Sequence, residues 1–473
     1  MRIGRGIRTN VTLGVLLGAN VSACADQRSQ LVGPLPPASA VCPATLRERL
    51  SVTRIDVDAD VGYLERAYDG FPRRSRIELS AAPGGGSLVA WQTSDHAAIH
   101  VTPLTADQAR AGDDVVVDAL ELAGLVAHDD GFALLVRQPD PGQPLAVDPT
   151  DMGTQAAVLL RYRGGAEAFS LLLTGTASPQ PSLDYSSALD GQLAWNGTRY
   201  GAYFAVHAGM GSAMQGVWGD QLHYVDDQGD ILSGGWSWGC SLDAGLRLLA
   251  EASGPFSAAC LSDNSPQTGL NWMTEGAMQH LAFEESWSGY TAGAFGSIVP
   301  VSDGSHLVVW ASRGDGGLAS GASGAAGVHD RAQDAPDLAL VQVDADGTPR
   351  GPLTWLTSTP KVPEFTVHAA PYGQGRYLVI WSTLESCQYD VGNCYGPFGG
   401  VFARLIDTEG NPLGADEELP AGPTDEANLV VFPNGDVGWA FVDATADYTT
   451  RLDDPASVPA QRTLSVARLR ACP

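Results

Sequence analysis

Short apolar runs, separated by Gly, Asp and Asn, follow one another along the chain from residue 42 to the C-terminus. The runs are rich in β-branched and aromatic residues, and none keeps an apolar period of 3.6 residues over several turns. Runs of this kind are typical of short strands, whereas an amphipathic helix requires the 3.6-residue period. The pattern therefore predicts an all-β fold for residues 42–473.

A Gly-led apolar run, often ending in Trp, recurs seven times. The copies lie at residues 86–91, 131–136, 197–206, 245–250, 304–310, 375–381 and 435–441. A second element is a strand that ends in an acidic turn, clearest in VDDQG after Tyr224, VDADG after Gln342 and IDTEG after Leu405. In these turns the Asp can hydrogen-bond its own backbone, and the Gly can take the positive φ that closes a hairpin. The two elements repeat with a period of roughly 60 residues.

Weaker copies of the hairpin complete the series. They lie at residues 99–107, 159–165, 280–289 and 464–469, so that seven hairpins alternate with the seven Gly-led runs. One run and one hairpin per repeat give about four short strands, which is the composition of a propeller blade. We therefore predict a β-propeller of about seven four-stranded blades. Irregular repeat lengths leave six or eight blades open, and stacked β-sandwiches or separate β domains are the alternative.

The last repeat stops near Cys472 and has no room for a fourth strand. Residues 51–61 alternate strictly between apolar and polar side chains and belong to no repeat. We expect this N-terminal strand to complete the final blade and close the ring.

The N-terminus has the composition of an export signal. Residues 1–8 contain three Arg and no acid, and the apolar stretch at 11–21 is too short to span a bilayer. The stretch ends in VSAC, which resembles a bacterial lipobox and implies cleavage before Cys24 with lipidation of its thiol and new amino group. Residues 1–23 would then be the signal peptide. An ordinary signal cut near Ala23 or Ala25 is the alternative.

Residues 24–41 are polar and Pro-rich, as expected of a flexible tether between a lipid anchor and a domain. Two or three acyl chains would hold the protein stably on a membrane. The residue after Cys24 is Ala25 and not Asp, which by analogy with the enterobacterial sorting rule favours the outer membrane. We expect an exported protein of the cell envelope that meets the membrane only through its anchor.

Seven cysteines become an even set of six if Cys24 carries lipid. In an oxidising compartment an even set predicts disulfides, and six cysteines allow about 15 pairings. Proximity along the chain favours three pairs, namely Cys387–Cys394, Cys240–Cys260 and Cys42–Cys472. A metal site is the alternative, but no CxxC spacing and no nearby His pair supports it.

Composition narrows the class of partner. The chain has 27 Lys and Arg against 54 Asp and Glu, a formal net charge of -27, which repels phosphate backbones and argues against nucleic acid. With 44% hydrophobic and 17% charged residues, the chain has the composition of a folded protein and not of a disordered one.

Several of these segments resemble a known group. The sequence WNGTRY at 195–200, the runs ending in Trp310 and Trp381, and the turns that include Asp344 and Asp407 are similar to secreted bacterial repeat proteins. Their blades read WNGxxYLVVW and then ARVDxxGxxL. The resemblance covers residues 190–470 and implies a propeller fold and export, but no activity.

One segment matches a catalytic motif. GWSWG at 235–239 has the GxSxG pattern of a nucleophile elbow, which makes Ser237 the candidate nucleophile. An elbow requires a strand, a sharp turn and a helix, together with an oxyanion hole. Here the motif lies between two β-runs and contains two large Trp side chains, so we expect structural packing.

Asp56, Asp58 and Asp60 resemble the start of a calcium loop of the DxDxDG type. However, Gly62 comes one place late, and the twelfth position is Ala67 where an EF-hand has Glu. The alternation places the three carboxylates on one face of a strand, and a solvated acidic edge is the preferred interpretation. Structural calcium is the alternative, and no other cofactor is expected.

The tryptophans divide into two sets. Those that end repeat runs are expected to pack between blades: Trp91, Trp310, Trp381 and Trp439. Four others fall where the repeats are least regular and form a candidate platform for stacking on a sugar or a protein partner: Trp236, Trp238, Trp272 and Trp287.

We interpret the chain as a lipid-anchored propeller that serves as a binding or scaffold module for protein or glycan in the cell envelope. The alternative is an envelope hydrolase, or a glycosidase or lyase that acts at the propeller channel. An enzyme requires titratable groups that converge on one site. The nine histidines are scattered, neither HExxH nor a P-loop occurs, and no converging set is visible in the sequence. The sequence therefore favours a binding module over an enzyme and leaves catalysis undecided.

Overall fold

A computed structural model describes most of the chain beyond residue 43. The described ranges are 44–62, 64–66, 72–141, 155–175, 190–207, 218–237, 240, 244–251, 254–262, 269–275, 277–283, 286–287, 290–291, 294–312, 335–359, 362–386, 388–390, 393–424, 426–443 and 461–472. Within them, the strands form seven four-stranded antiparallel sheets and three two-stranded hairpins. The sheets are the seven blades of a β-propeller, as predicted.

The chain begins with α1 (Leu46–Arg49), β1 (Leu50–Val61), β2 (Leu64–Arg66) and β3 (Pro72–Arg74). Blade 1 contains β4 (Glu78–Ala81), β5 (Ser87–Gln92), β6 (Ala98–Leu104) and β7 (Val115–Asp118). Blade 2 contains β8 (Glu121–His128), β9 (Gly131–Pro139), β10 (Gln155–Arg163) and β11 (Ala166–Leu172). Blade 3 contains β12 (Gly191–Trp195), β13 (Arg199–His207), β14 (Trp218–Asp226) and β15 (Ile231–Ser237).

Blade 4 contains β16 (Ala244–Ala250), β17 (Phe256–Ser262), β18 (Gly269–Thr274) and β19 (Ala277–Phe283), and a hairpin of β20 (Ser286–Trp287) and β21 (Tyr290–Thr291) follows it. Blade 5 contains β22 (Ala294–Pro300), β23 (His306–Ser312), β24 (Asp337–Val343) and β25 (Thr354–Trp355). Blade 6 contains β26 (Glu364–Pro371), β27 (Tyr377–Leu384), β30 (Phe398–Ile406) and β31 (Glu417–Leu419), with a hairpin of β28 (Gln388–Asp390) and β29 (Asn393–Tyr395) inserted. Blade 7 contains β32 (Val430–Val431), β33 (Val437–Phe441), β34 (Gln461–Leu469) and the N-terminal β1.

The second strand of each blade is buried on both faces, because neighbouring blades cover it. All seven residues of β23 are buried, and so are all eight of β27. The sequence of a strand that is buried on both faces is a continuous apolar run. Trp91, Trp310 and Trp439 are fully buried and Trp381 is 3% exposed, which confirms their predicted packing role.

The first strands of the blades form the inner ring. Each contacts the first strand of the next blade, from β4 through β8, β12, β16, β22, β26 and β32 back to β4. We call the end of the channel where these inner strands begin the mouth end. The opposite end, where short turns join the first strand to the second, is the turn end.

The ring closes as the sequence predicts. β1 pairs antiparallel with β34 from Leu50 opposite Leu469 to Asp56 opposite Thr463 and so supplies the fourth strand of blade 7. Ile55 on this strand is buried in a cluster that also contains Trp91 of blade 1. The N-terminal strand therefore joins the last blade to the first by burying apolar surface.

The acidic turns also have the predicted geometry. Asp226 Oδ1 accepts hydrogen bonds from the backbone N–H groups of Gln228 and Asp230, both at 2.9 Å. Gly229 takes a φ of 90° in this turn, a value that L side chains rarely adopt.

Blade 4 departs from the predicted repeat. The Gly-led run at 245–250 is the inner strand β16, and the second strand is β17, which follows Gly254. The reason is a local irregularity in β16, where the pairing shifts register between Ala244 and Arg247 and Gly245 takes a φ of 68°. In the sequence, a glycine that a bulge requires therefore looks the same as the turn glycine that precedes the second strand in the other blades. The hairpin copy at 280–289 was likewise misplaced, because the β18–β19 turn falls near Glu275.

The helices of the described ranges include none long and apolar enough to cross a membrane.

Candidate functional site

Five charged side chains meet at the mouth end of the channel: Arg76, Glu78, Asp190, Arg247 and Glu426. We call them the axial cluster. They come from blades 1, 3, 4 and 7, and each lies within or just before an inner strand. Because the inner strands begin at the same end of the ring, these distant sequence positions become neighbours.

Arg76 lies at the centre of the cluster. Its Nη1 donates hydrogen bonds to the carbonyl oxygens of Ala123 in blade 2 and Gly191 in blade 3. Its Nη2 donates to Asp190 Oδ1 at 2.7 Å and to Glu426 Oε2 at 2.9 Å. One guanidinium therefore links blade 1 to blades 2, 3 and 7.

Asp190 and Arg247 extend the cluster toward blades 4 and 5. Asp190 accepts hydrogen bonds from the backbone N–H of Gly191 at 2.6 Å and of Leu246 at 3.0 Å. Arg247 donates to the carbonyl oxygen of Gly296 at 2.5 Å and to that of Leu246 at 2.9 Å. The backbone of three inner strands is thus held by the same group of charges.

Burial governs the ionisation of the cluster. It raises the pKa of Glu78 to about 7, although Arg76 and Arg247 oppose the shift. Burial and the neighbouring Glu426 carboxyl raise the pKa of Asp190 well above its usual range. Desolvation disfavours the charged form of an acid, so these carboxyls retain protons at a pH where exposed ones are ionised.

A segment of blade 7 crosses the mouth end. We call residues 426–429 the lead-in segment, because they precede β32. Gln192 of blade 3 donates to the carbonyl oxygen of Glu426 at 3.1 Å, and the Asn428 side-chain amide donates to Gln192 Oε1. Blades 3 and 7 are not neighbours in the ring, so these contacts span the channel.

The axial cluster corrects the expectation that no titratable groups converge. Arg76, Glu78, Asp190 and Arg247 are each less than 9% exposed, and the Glu426 side chain is 19% exposed. The arrangement can hold a proton and fasten blades together. A glycosidase requires one carboxyl as acid and a second as base or nucleophile, and Glu426 is the carboxyl of the cluster most open to solvent.

A separate buried carboxyl lies at the start of blade 6. Glu364 accepts hydrogen bonds from the hydroxyl groups of Thr357 and Thr359, the latter at 3.2 Å. Burial raises its pKa to about 7, and the nearby Asp337 carboxyl acts in the same direction.

Ser237 ends β15, the outer strand of blade 3, where its side chain is exposed. Gly235 has a φ of 81°, and a Cβ there would lie 2.1 Å from the carbonyl oxygen of Leu222. The glycine therefore permits close packing within a bulged sheet. The described residues that follow, Cys240 and β16, contain no helix of the kind a nucleophile elbow needs.

Two of the four tryptophans of the candidate platform, Trp272 and Trp236, have described side chains. Trp272 is fully buried beside His306, at a ring-centroid distance of 5.2 Å, so its predicted role as an exposed platform is wrong. Trp236 is half-buried and donates from Nε1 to Asp220 at 3.1 Å. Trp238 and the side chain of Trp287 lie outside the described residues.

Asp220 also positions a disulfide. It accepts a hydrogen bond from the backbone N–H of Cys240 at 2.9 Å, and Cys240 is bonded to Cys260 with a Cα separation of 6.4 Å. The bond joins the end of blade 3 to the second strand of blade 4, as proximity along the chain predicted. Cys472 is also disulfide-bonded.

The remaining predicted pairs stay predictions. Cys24, Cys42 and Cys387 lie outside the described residues, as do the signal peptide at 1–23 and the tether at 24–41. Cys394 lies on β29, but its side chain is also outside the described part of the chain.

The three aspartates of β1 lie along its outer edge. Asp58 is 3.5 Å from Arg110, and Asp60 is 2.7 Å from Arg462, while Asp56 is exposed. The described ranges contain no group of three or more His, Cys, Asp or Glu side chains placed to hold a metal ion. Structural calcium at this edge stays a prediction.

Known proteins resemble this chain only distantly. No protein-family model matches the sequence, and no curated protein matches it. Among solved structures, a protein of unknown function from Dyadobacter fermentans has 12% identity and a TM-score of 0.39, covering 89% of this chain and 99% of that one. An α-L-arabinanase from Penicillium chrysogenum, complexed with arabinobiose, has 11% identity and a TM-score of 0.41 over 87% of this chain and 98% of that one.

The Dos1 propeller has 11% identity and a TM-score of 0.44, and the match covers 87% of this chain and 82% of that one. Similarities at this level carry no argument about activity. The structure itself defines the class, which is a seven-bladed β-propeller closed by its N-terminal strand, with a charged cluster at one end of its channel.

Proposed function

We propose that the protein is an exported, lipid-anchored binding or scaffold module of the cell envelope, with a protein or a glycan as its ligand. The basic N-terminus, the short apolar stretch at 11–21 and the position of Cys24 support export and anchoring. The outer membrane is the proposed location. One observation carries the proposal: the described chain starts at the turn end of the ring, which leaves the opposite end free to face a partner.

The start of the described chain lies at the turn end. The backbone N–H of Arg47 donates to Glu417 at the start of β31, at 3.2 Å. Arg376, in the turn between β26 and β27, donates to the carbonyl oxygen of Cys472 at 2.7 Å. A tether at 24–41 would thus join the domain at the turn end, and a flexible chain of that length reaches about 23 Å.

The mouth end then faces away from the membrane. Second strands end and third strands begin at this end, and the longest stretch of sequence between consecutive strands, from Ser312 to Asp337, separates such a pair. Long connections on a rigid scaffold are the usual carriers of binding function. We infer that the partner approaches the mouth end.

Anchoring is tested by mass spectrometry of the mature N-terminal peptide and by cell fractionation. The wild-type protein should carry acyl chains on Cys24 and sediment with membranes, while Cys24→Ser should be released. An unmodified Cys24 in a membrane fraction would contradict the anchoring proposal.

Orientation is tested with two single-cysteine labels on the anchored protein in vesicles that contain a headgroup quencher. Ala97→Cys places a fluorophore between β5 and β6 at the mouth end, and Glu409→Cys places one in the β30–β31 turn. Both positions are exposed. Stronger quenching at 409 is expected, and stronger quenching at 97 would refute the orientation.

One observation favours the second candidate function, an envelope glycosidase, lyase or hydrolase. Glu78, Asp190 and Glu426 converge with two arginines at the mouth end, and a carboxylate pair is what glycoside cleavage requires. The purified protein should retain an envelope glycan or protein without releasing products. Product release that Glu426→Gln abolishes would instead establish catalysis in the channel, and dependence on Ser237 would establish the hydrolase.

A further inference from the structure

Two carboxyl groups of the axial cluster meet at the same donor nitrogen. The side chains of Asp190 and Glu426 both accept from Nη2 of Arg76, at 2.7 and 2.9 Å, and burial together with the neighbouring Glu426 carboxyl raises the pKa of Asp190. An ionised carboxylate has acceptor oxygens only. When both carboxyls are ionised, their oxygens repel each other across the single nitrogen that they share, and a proton on one of them removes this repulsion.

The charge balance leads to the same requirement. In the part of the chain that the structure describes, the axial cluster holds three carboxyls and two guanidiniums. Fully ionised, these groups would leave an excess negative charge in a buried site, which is costly. The third carboxyl, Glu78, lies 3.6 Å from Arg76 Nε, and burial raises its pKa to about 7.

Other charged groups near the inner ring are engaged elsewhere. Glu121 on β8 pairs with Arg137 at 2.9 Å, and Glu364 on β26 is held by two threonine hydroxyls. Tyr203, on the strand beside β12, donates its hydroxyl to Asp220 at 2.7 Å. The strands β5, β32 and β33, which pack against β4, contain no titratable residue. Arg76 and Arg247 are therefore the cations that face the pair among the described residues.

Asp190 and Glu426 belong to different blades, so a proton between them affects how firmly these blades are held together. Asp190 belongs to blade 3 and Glu426 to the lead-in segment of blade 7, which crosses the channel. Two further contacts hold that segment, both through Gln192. Loss of the proton replaces an attractive contact between the blades with repulsion between two carboxylates.

We propose that Asp190 and Glu426 share a proton that fastens the lead-in segment across the mouth end, so that this end of the channel loosens as the pH rises. The sign follows from linkage. An acid whose pKa is higher in the folded state contributes stability at low pH, and that contribution is lost as the pH rises through the folded-state pKa. The inference does not depend on the proposed binding function.

Hydrogen–deuterium exchange of the full mature protein, corrected for the intrinsic pH dependence of exchange, tests the proposal. The reporter is the peptide that spans residues 423–432. Its protection should fall about tenfold between about pH 6 and about pH 9, while peptides of β23 stay protected. Equal protection of the reporter peptide at both pH values would overturn the proposal.

Glu426→Gln provides the matched variant, because a side-chain amide donates to Asp190 and accepts from Arg76 without needing a shared proton. Its reporter peptide should stay protected at both pH values. Glu418→Gln, at an exposed position of β31, is the control and should behave as the wild type does. A wild-type pH response in Glu426→Gln would refute the shared proton. If Glu426→Gln does not fold, the pH dependence of the wild-type reporter peptide still tests the proposal. Asp190→Asn then provides the same comparison by changing the other carboxyl of the pair.

Discussion

Replacement of Arg76 by Met removes the guanidinium at the centre of the axial cluster while roughly keeping the side-chain volume. The variant leaves Asp190 and Glu426 without their shared donor, and it removes the Arg76 hydrogen bonds to two backbone carbonyl groups in blades 2 and 3. Removing one member of a buried ion pair costs about 3 to 5 kcal/mol. We therefore expect the free energy of unfolding to fall by about 4 kcal/mol near neutral pH.

The loss should depend on pH in a defined direction. Protonation of the buried carboxyls removes the uncompensated charge, so Arg76→Met should be less destabilising at about pH 5 than at about pH 8. Urea unfolding followed by tryptophan fluorescence gives both values, with the change taken from the transition midpoint at constant slope.

Arg54→Met is the matched control. Arg54 pairs with Asp443 at 3.0 Å, but the two side chains are 72% and 65% exposed. Exposed ion pairs of this kind contribute little to stability, so the control should unfold as the wild type does. If Arg76→Met lowers stability by less than about 1 kcal/mol, the cluster does not hold the blades together, and the reasoning fails.

Three further predictions concern other parts of the ring. Ile55→Ala on β1 should cost about 3 kcal/mol in urea unfolding, because Ile55 is 3% exposed, whereas Val52→Ala on the same strand, at 43% exposure, should cost little; equal effects would contradict closure by burial. The double variant Cys240→Ala/Cys260→Ala should lose about 3 kcal/mol, as expected for a bond that closes a 20-residue separation, and an unchanged midpoint would show that the bond constrains nothing. Burial raises the pKa of Glu364 from its ordinary value of 4.5 to about 7, so its stabilising contribution is complete below about pH 4.5 and is lost as the pH rises through 7. Glu364→Gln should therefore reduce the difference in the free energy of unfolding between about pH 5 and about pH 8 by up to about 3 kcal/mol, measured by urea unfolding, and an undiminished difference would rule out this carboxyl as the source.

The fold was predictable because its strongest constraint is local. A second strand that is covered on both faces has to be apolar throughout, and a Trp at its end fills the space between blades, as Trp310 does. The fourth strand of blade 7 was also predictable from local sequence. Residues 51–61 alternate between apolar and polar side chains, and the last repeat is one strand short. Gly245 misled the prediction of blade 4, because a bulge and a turn both require a glycine with positive φ.

The axial cluster could not be predicted in this way. Arg76 and Glu426 lie far apart in sequence, and each precedes a short strand where a charged residue is unremarkable. Their proximity depends on closure of the whole ring, and their burial depends on the lead-in segment that crosses the channel. The one local signal is the alternation of Arg76 and Glu78, which places both on the same face of the chain as it enters blade 1.

Two kinds of contact therefore hold the ring, and they should respond differently to pH. At the perimeter, β1 joins blade 7 to blade 1 through apolar side chains such as Ile55, which do not titrate. At the axis, blade 7 is held to blade 3 by Gln192 and by the carboxyl pair of Asp190 and Glu426, whose shared proton is lost as the pH rises. Ile55→Ala should consequently lower stability equally at low and high pH, whereas Arg76→Met should not. The mouth end can thus loosen with rising pH while the perimeter stays closed, which makes the mouth the part of the propeller that can respond to its surroundings.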